Sequence, residues 1–97
     1  MMMMMTISYY VNAPRNLQII PRQSTYEAED RIQCSAEGNP EPSYHWTDLV
    51  SGTVTKGAFL TIGEEMVDSN YTFQCTASNQ YNNMSTNLTF AVEGINI

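Results

Sequence analysis

Arg31-Ile32-Gln33-Cys34-Ser35-Ala36-Glu37 runs into Gly38-Asn39-Pro40-Glu41-Pro42 and then into Ser43-Tyr44-His45-Trp46-Thr47. The first stretch alternates polar and apolar residues, the pattern of a strand with one face buried and the other solvated. Cys34 falls on the apolar phase and so points inward. The Gly-Asn-Pro-x-Pro cluster breaks any regular element and must be a loop. Beyond it Tyr44 and Trp46 share a phase, which marks a further strand. The same alternation recurs in Tyr71-Thr72-Phe73-Gln74-Cys75-Thr76-Ala77-Ser78, again with the cysteine on the apolar phase.

Outward from these stretches the rest of the chain reads as further short strands. No window keeps apolar residues at helical spacing. Residues 17–20 form an early strand ended by Pro21, 48–57 a turn with a short edge strand near Val54, and 58–62 a strand with Leu60 and Ile62 inward. Residues 64–70 turn the chain, 79–83 make a polar hairpin, and 87–92 close the set with Leu88, Phe90 and Val92 in phase. About seven short strands at this spacing predict an all-β sandwich or barrel. Its expected core is Leu17, Ile19, Ile32, Cys34, Ala36, Tyr44, Trp46, Leu60, Ile62, Tyr71, Phe73, Cys75, Leu88 and Phe90.

The 97 residues allow one core and no second. The formal charge is −6, with only Arg15, Arg22, Arg31 and Lys56 positive. Four scattered cations make no basic stripe, so nucleic acid and direct binding to an anionic membrane surface are set aside. The acids Glu27, Glu29 and Asp30, and then Glu64, Glu65 and Asp68, read as solvated turns, with a weak Ca²⁺-type site as the alternative. No run of about 18 apolar residues exists to span a bilayer. Met1 to Met5 lack the features of a signal peptide and read as an expression start or a cut through a longer protein. A pair of cysteines in a small chain means a disulfide, part of a metal site or two free thiols. One histidine and no third cysteine leave a zinc site under-ligated, and the choice between the other two stays open at this point.

Cys34, Trp46 twelve residues on and Cys75 forty-one residues after the first together resemble the Cys…Trp…Cys frame of the immunoglobulin superfamily. The stretch from Cys34 to Trp46, with its Gly38-Asn39-Pro40-Glu41-Pro42 turn, resembles C2-set and I-set domains especially. The resemblance covers about residues 14–93. It implies a Greek-key immunoglobulin-like sandwich of about seven antiparallel strands, one inter-sheet disulfide between Cys34 and Cys75, and a core anchored by Trp46, Phe73 and Leu60. A disulfide places the chain in an oxidising compartment, extracellular or at the cell surface. One departure stands out: Phe73 occupies the place where the family carries a tyrosine that bonds the backbone, and Ser69 the place of its usual aspartate. Either Phe73 packs without that bond or Tyr71 substitutes through a shifted turn. Residues 1–13 read as a start segment or the tail of a preceding domain plus linker, with Thr6-Ile7-Ser8-Tyr9-Tyr10-Val11 as its last strand. Residues 14–93 are the domain and 94–97 an exit segment.

Three Asn-x-Ser/Thr acceptors occur, at Asn70, Asn83 and Asn87, and strand phase predicts outward or loop positions for all of them. His45 is the sole histidine; its phase beside Trp46 puts it on the outer face, and nothing in the sequence supplies a catalytic triad around it. Gly52-Thr53-Val54-Thr55-Lys56-Gly57 lacks the second glycine before the lysine that a phosphate loop needs and is a turn. No cofactor or metal motif is present, and catalysis is not expected. Contact surface is expected instead at Phe59 on one outer face, His45 on the other and Tyr81 at a hairpin tip. The resemblance implies a non-catalytic extracellular recognition or adhesion module acting by protein–protein contact, homophilic or heterophilic. The alternative is a spacer that holds an outer domain away from the membrane. Either sits beside neighbouring immunoglobulin-like domains.

Overall fold

The computed structural model describes residues 11–94; the readings placed on residues 1–10 and 95–97 lie outside them. The described chain forms β1 (Asn12–Ile20), β2 (Thr25–Glu27), β3 (Arg31–Asn39), β4 (Ser43–Asp48), β5 (Val54–Lys56), β6 (Phe59–Thr61), β7 (Asn70–Asn79) and β8 (Asn82–Glu93), with one 3-10 turn at Glu64–Met66. One sheet has the order β1-β3-β6 and the other β2-β8-β7-β4-β5. The fold is all-β, a two-sheet immunoglobulin-like sandwich.

Eight strands replace the expected seven or so, because the first strand divides. β1 pairs antiparallel with β3 as far as Ile20 opposite Gln33. Pro21 has no N–H to continue that ladder, and the chain steps across to the other sheet. There β2 runs parallel to β8, with Thr25, Tyr26 and Glu27 opposite Ala91, Val92 and Glu93. The expectation of an entirely antiparallel sandwich is therefore corrected at this one edge. β8 also starts well before residue 87: β7 and β8 stay in register from Asn70–Ala91 to Asn79–Asn82, so the expected 79–83 hairpin shrinks to Gln80 and Tyr81. Polar residues of low strand propensity mask that length. Paired hydroxyls support it, with Thr76 Oγ1 lying 2.8 Å from Ser85 Oγ and Thr72 Oγ1 lying 3.0 Å from Thr89 Oγ1.

β1 carries register shifts between Asn12 and Arg15 and between Arg15 and Gln18, the mark of bulges that bend a strand. Two turns around β5 use residues of positive φ, Gly52 at 81° and Gly57 at 113°, where a side chain would be strained.

The core lies between the sheets. Ile19, Ile32, Cys34, Trp46, Leu60, Ile62, Phe73, Cys75, Leu88 and Phe90 are buried as expected. Leu17, Tyr44 and Tyr71 pack against that cluster only in part, and Ala36 is half-buried. Tyr26, Met66, Ala77 and Val92 complete the core. Met66 is hidden in the acidic 64–70 segment of the sequence; the 3-10 turn swings it inward, and the Gly63 N–H points at its Sδ, 3.4 Å away.

Candidate functional site

Cys34 on β3 and Cys75 on β7 form a disulfide with Cα atoms 6.5 Å apart, joining the two sheets. Trp46 pairs across the ladder with Cys75 and is wholly buried. Its indole N–H donates to the Ala58 carbonyl at 3.0 Å, so its one polar atom is satisfied in the core. Phe73 lies edge-on to Trp46 at 6.5 Å between ring centroids and stacks on Phe90 at 5.9 Å. Leu60 is buried on the opposite sheet. Of the two alternatives for the departure at Phe73, this packing matches the first. Tyr71 stacks on Phe90 at 6.0 Å instead of displacing Phe73.

Two other tyrosines bond backbone at places that no local pattern marks. Tyr26 stands edge-on to Phe90 at 5.1 Å. Its hydroxyl donates to the Pro21 carbonyl and accepts the Gln23 N–H at 2.9 Å, fixing the step between sheets. Burial pushes this phenol above its ordinary value, with the Gln23 hydrogen bond and the Arg22 charge opposing. The Tyr44 hydroxyl accepts the Ala36 N–H at 2.8 Å and donates to the Ala36 carbonyl at 3.1 Å. These are the ladder groups of β3 on the side where β6 has ended, since Cys34 N–H still reaches Ala58 on that side. One hydroxyl thus takes the place of a missing strand.

On the outer face of the five-stranded sheet, His45 lies opposite Thr76 on β7 and Lys56 on β5, and Thr76 lies opposite Ser85. Thr76 is buried by this row although it faces outward. His45 is half-buried, between a lysine and a threonine and not at an open surface. Asn70, Asn83 and Asn87 are all exposed. Their ladder partners are Ala91, Ser78 and Gln74, and since Phe73 opposite Leu88 marks the inner phase, all three acceptors stand on this same outer face. Arg22 reaches the strand carrying two of them, donating to Thr86 Oγ1 at 3.2 Å and to the Asn87 carbonyl at 3.4 Å.

The outer face of the three-stranded sheet differs. Ile20, Gln33 and Phe59 form one row across β1, β3 and β6, with Ile20 46% and Phe59 44% exposed. The Arg31 guanidinium sits 4.2 Å above the Phe59 ring, a cation–π contact; further along the β1–β3 ladder Arg15 pairs with Glu37 at 3.2 Å. Strand phase places Phe59 outward; it does not single out Ile20, which differs from its inward neighbour Ile19 only by one step of the pleat. Tyr81 is 46% exposed at the β7–β8 turn, where Asn79 Oδ1 accepts its N–H at 3.0 Å. Of the three expected contact residues, Phe59, His45 and Tyr81, no two share a patch. Leu49, Val50 and Val54 are also exposed around the β4–β5 hairpin, an apolar tip where the sequence predicts only a turn and a short edge strand.

No protein-family description matches the sequence. Neurofascin of Gallus gallus is 29% identical over 84 residues, covering 75% of this chain and 6% of the relative's length. An amphioxus IgVJ-C2 molecule of known structure superposes with a TM-score of 0.66 at 25% identity, covering 80% of this chain and 43% of that one. The chain therefore spans well under two thirds of either relative. The Cys34–Cys75 bridge packed on Trp46, the two-sheet order and these likenesses agree on an immunoglobulin-like sandwich fold for this chain.

Proposed function

We propose that the domain is a non-catalytic recognition module of an extracellular or cell-surface protein and works by protein–protein contact. The observation that carries this is the row Ile20–Gln33–Phe59 with Arg31 stacked on it, an apolar and cationic surface held rigid by a stapled sandwich. Aromatic and arginine side chains on rigid scaffolds are the residues that dominate contact energies. The likeness to Neurofascin supports a place among adhesion-type proteins of the cell surface, and the disulfide supports an oxidising compartment. Neighbouring immunoglobulin-like domains in a longer parent chain belong to the same proposal. The test is adhesion of beads coated with the glycosylated domain, to each other and to cells. Phe59→Glu is expected to lower the adhesion several-fold while the melting temperature holds. Equal adhesion of this variant removes the proposed face.

A second reading, a spacer, is favoured by one observation. The three acceptor asparagines share the outer face of the five-stranded sheet, and sugars on them would mask it. No binding by the isolated domain, together with loss of parent-protein adhesion on its deletion, would select the spacer.

A further inference from the structure

The sandwich is open along one side. β5 ends the five-stranded sheet and β6 ends the other, each with a single strand partner, and each is only three residues long. Between these edges lies a cavity of about 320 Å³, with Leu60, Met66, Phe73 and Tyr71 as its apolar lining and the acids Asp48 and Glu65 as its charged members. Ligand pockets start near roughly 300 Å³, so this one has room for a single long side chain and not for a folded segment.

Its lining combines two chemistries. Tyr71 is half-buried and lies tilted beside Phe73, centroids 6.0 Å apart, so part of an aromatic surface is open to the cavity. Asp48 Oδ1 accepts the Val50 and Ser51 N–H groups at 2.9 and 3.2 Å, which fixes the carboxylate against its own turn. Those hydrogen bonds also hold Asp48 below the usual carboxylate range, so it is ionised at neutral pH. Glu65 has neither a hydrogen bond nor an ion pair among the described residues; the ion pair found there joins Arg15 to Glu37. A neutral apolar ligand would leave the two carboxylates without a countercharge, and an anion would be repelled by them.

We propose that this cleft binds an organic cation, namely the arginine side chain of a protein partner. A guanidinium is planar, stacks on aromatic faces and donates in a fork to carboxylates, while its methylene stem packs on surfaces such as Met66 and Leu60. The charge of the chain, −6 overall, steers such a side chain inward at low salt. The inference rests on the contact reading only for the source of the cation; the affinity of the cleft for a guanidinium is a separate property.

The test is an NMR titration of the labelled chain with capped arginine (acetyl-arginine amide), with capped citrulline as the neutral isostere. Saturable shifts in the amides of Thr55, Thr61 and Tyr71 are expected, in the millimolar range suited to so small a ligand. Citrulline, Asp48→Asn and Glu65→Gln are each expected to weaken binding by about fivefold, and the double variant to abolish it. The carboxamide introduced by Asp48→Asn keeps an oxygen for the Val50 N–H, so an unchanged melting temperature separates lost binding from lost fold. Absence of saturable shifts, equal binding of citrulline, or a double variant that binds normally overturns the proposal. Saturable arginine-specific binding supports the cleft even where bead adhesion fails.

Discussion

Tyr26 joins packing to chemistry in a single side chain. It is 2% exposed, and its hydroxyl serves both Pro21 and Gln23. Tyr26→Phe keeps the ring but leaves the Gln23 N–H unpartnered, and is expected to cost about 1–2 kcal/mol in urea unfolding. The same residue sets a pH limit. Burial raises its folded-state pKa above that of the unfolded chain, so the native state holds the proton more tightly. Stability from this source is complete below the unfolded value, about 10, and falls as pH rises through the folded value. Melting temperature should therefore drop more steeply above pH ~10 in the wild type than in Tyr26→Phe; parallel curves would remove this account. The disulfide is the other decisive pair. It closes a 41-residue separation, which on the chain-entropy view stabilises by roughly 4 kcal/mol. Replacing both cysteines by alanine is expected to lose about 2–5 kcal/mol, read as a lower denaturation midpoint.

Strands show why some elements were legible and others were not. β3 and β7 announce themselves because each holds several full periods of alternation and a cysteine on the inner phase. β2 holds three residues, too few to display a period, and its partner lies 66 residues downstream in the Tyr26–Val92 pair. The sequence places a hairpin at 79–83 and begins the last strand only at 87, because asparagine-rich polar stretches have weak strand propensity; cross-strand pairing overrides it and starts β8 at Asn82. The Tyr44 bond to Ala36 was equally invisible, since it depends on where β6 stops. Tyr44→Phe tests that element. It strips the Ala36 N–H and carbonyl of their partner and should cost about 1–2 kcal/mol, with faster hydrogen exchange at Ala36. Exchange unchanged at Ala36 would mean that water or another group fills the gap.

At the scale of the molecule the two outer faces are unlike. One carries three acceptor asparagines, with Asn83 and Asn87 four residues apart on one strand, roughly 13 Å. Asn70 stands opposite Ala91, a similar step beyond Asn87. Sugars at these intervals would line the β7–β8 part of this face along its length and leave the Ile20–Phe59 row, on the other sheet, clear. Expression in a glycosylating host should raise the intact mass by one to three glycans, each removed by the matching Asn→Gln. An unshifted mass would end the shielding argument. Because all three side chains are exposed, the triple variant should lie within about 1 kcal/mol of wild type.

Alternation and spacing along the chain were enough to predict an all-β sandwich or barrel, which the Cys…Trp…Cys resemblance narrowed to a sandwich. They also predicted the burial of Cys34, Trp46 and Cys75 and the outward phase of Phe59 and the acceptor asparagines. These are local properties, readable one segment at a time. The transfer of β2 to the second sheet, the burial of Tyr26 and Met66, the stacking of Arg31 on Phe59 and the gathering of Asp48 and Glu65 at one cleft were settled only by the folded arrangement. Each of these joins residues on different strands or turns, and their positions are fixed only once backbone hydrogen bonds and core packing are satisfied together.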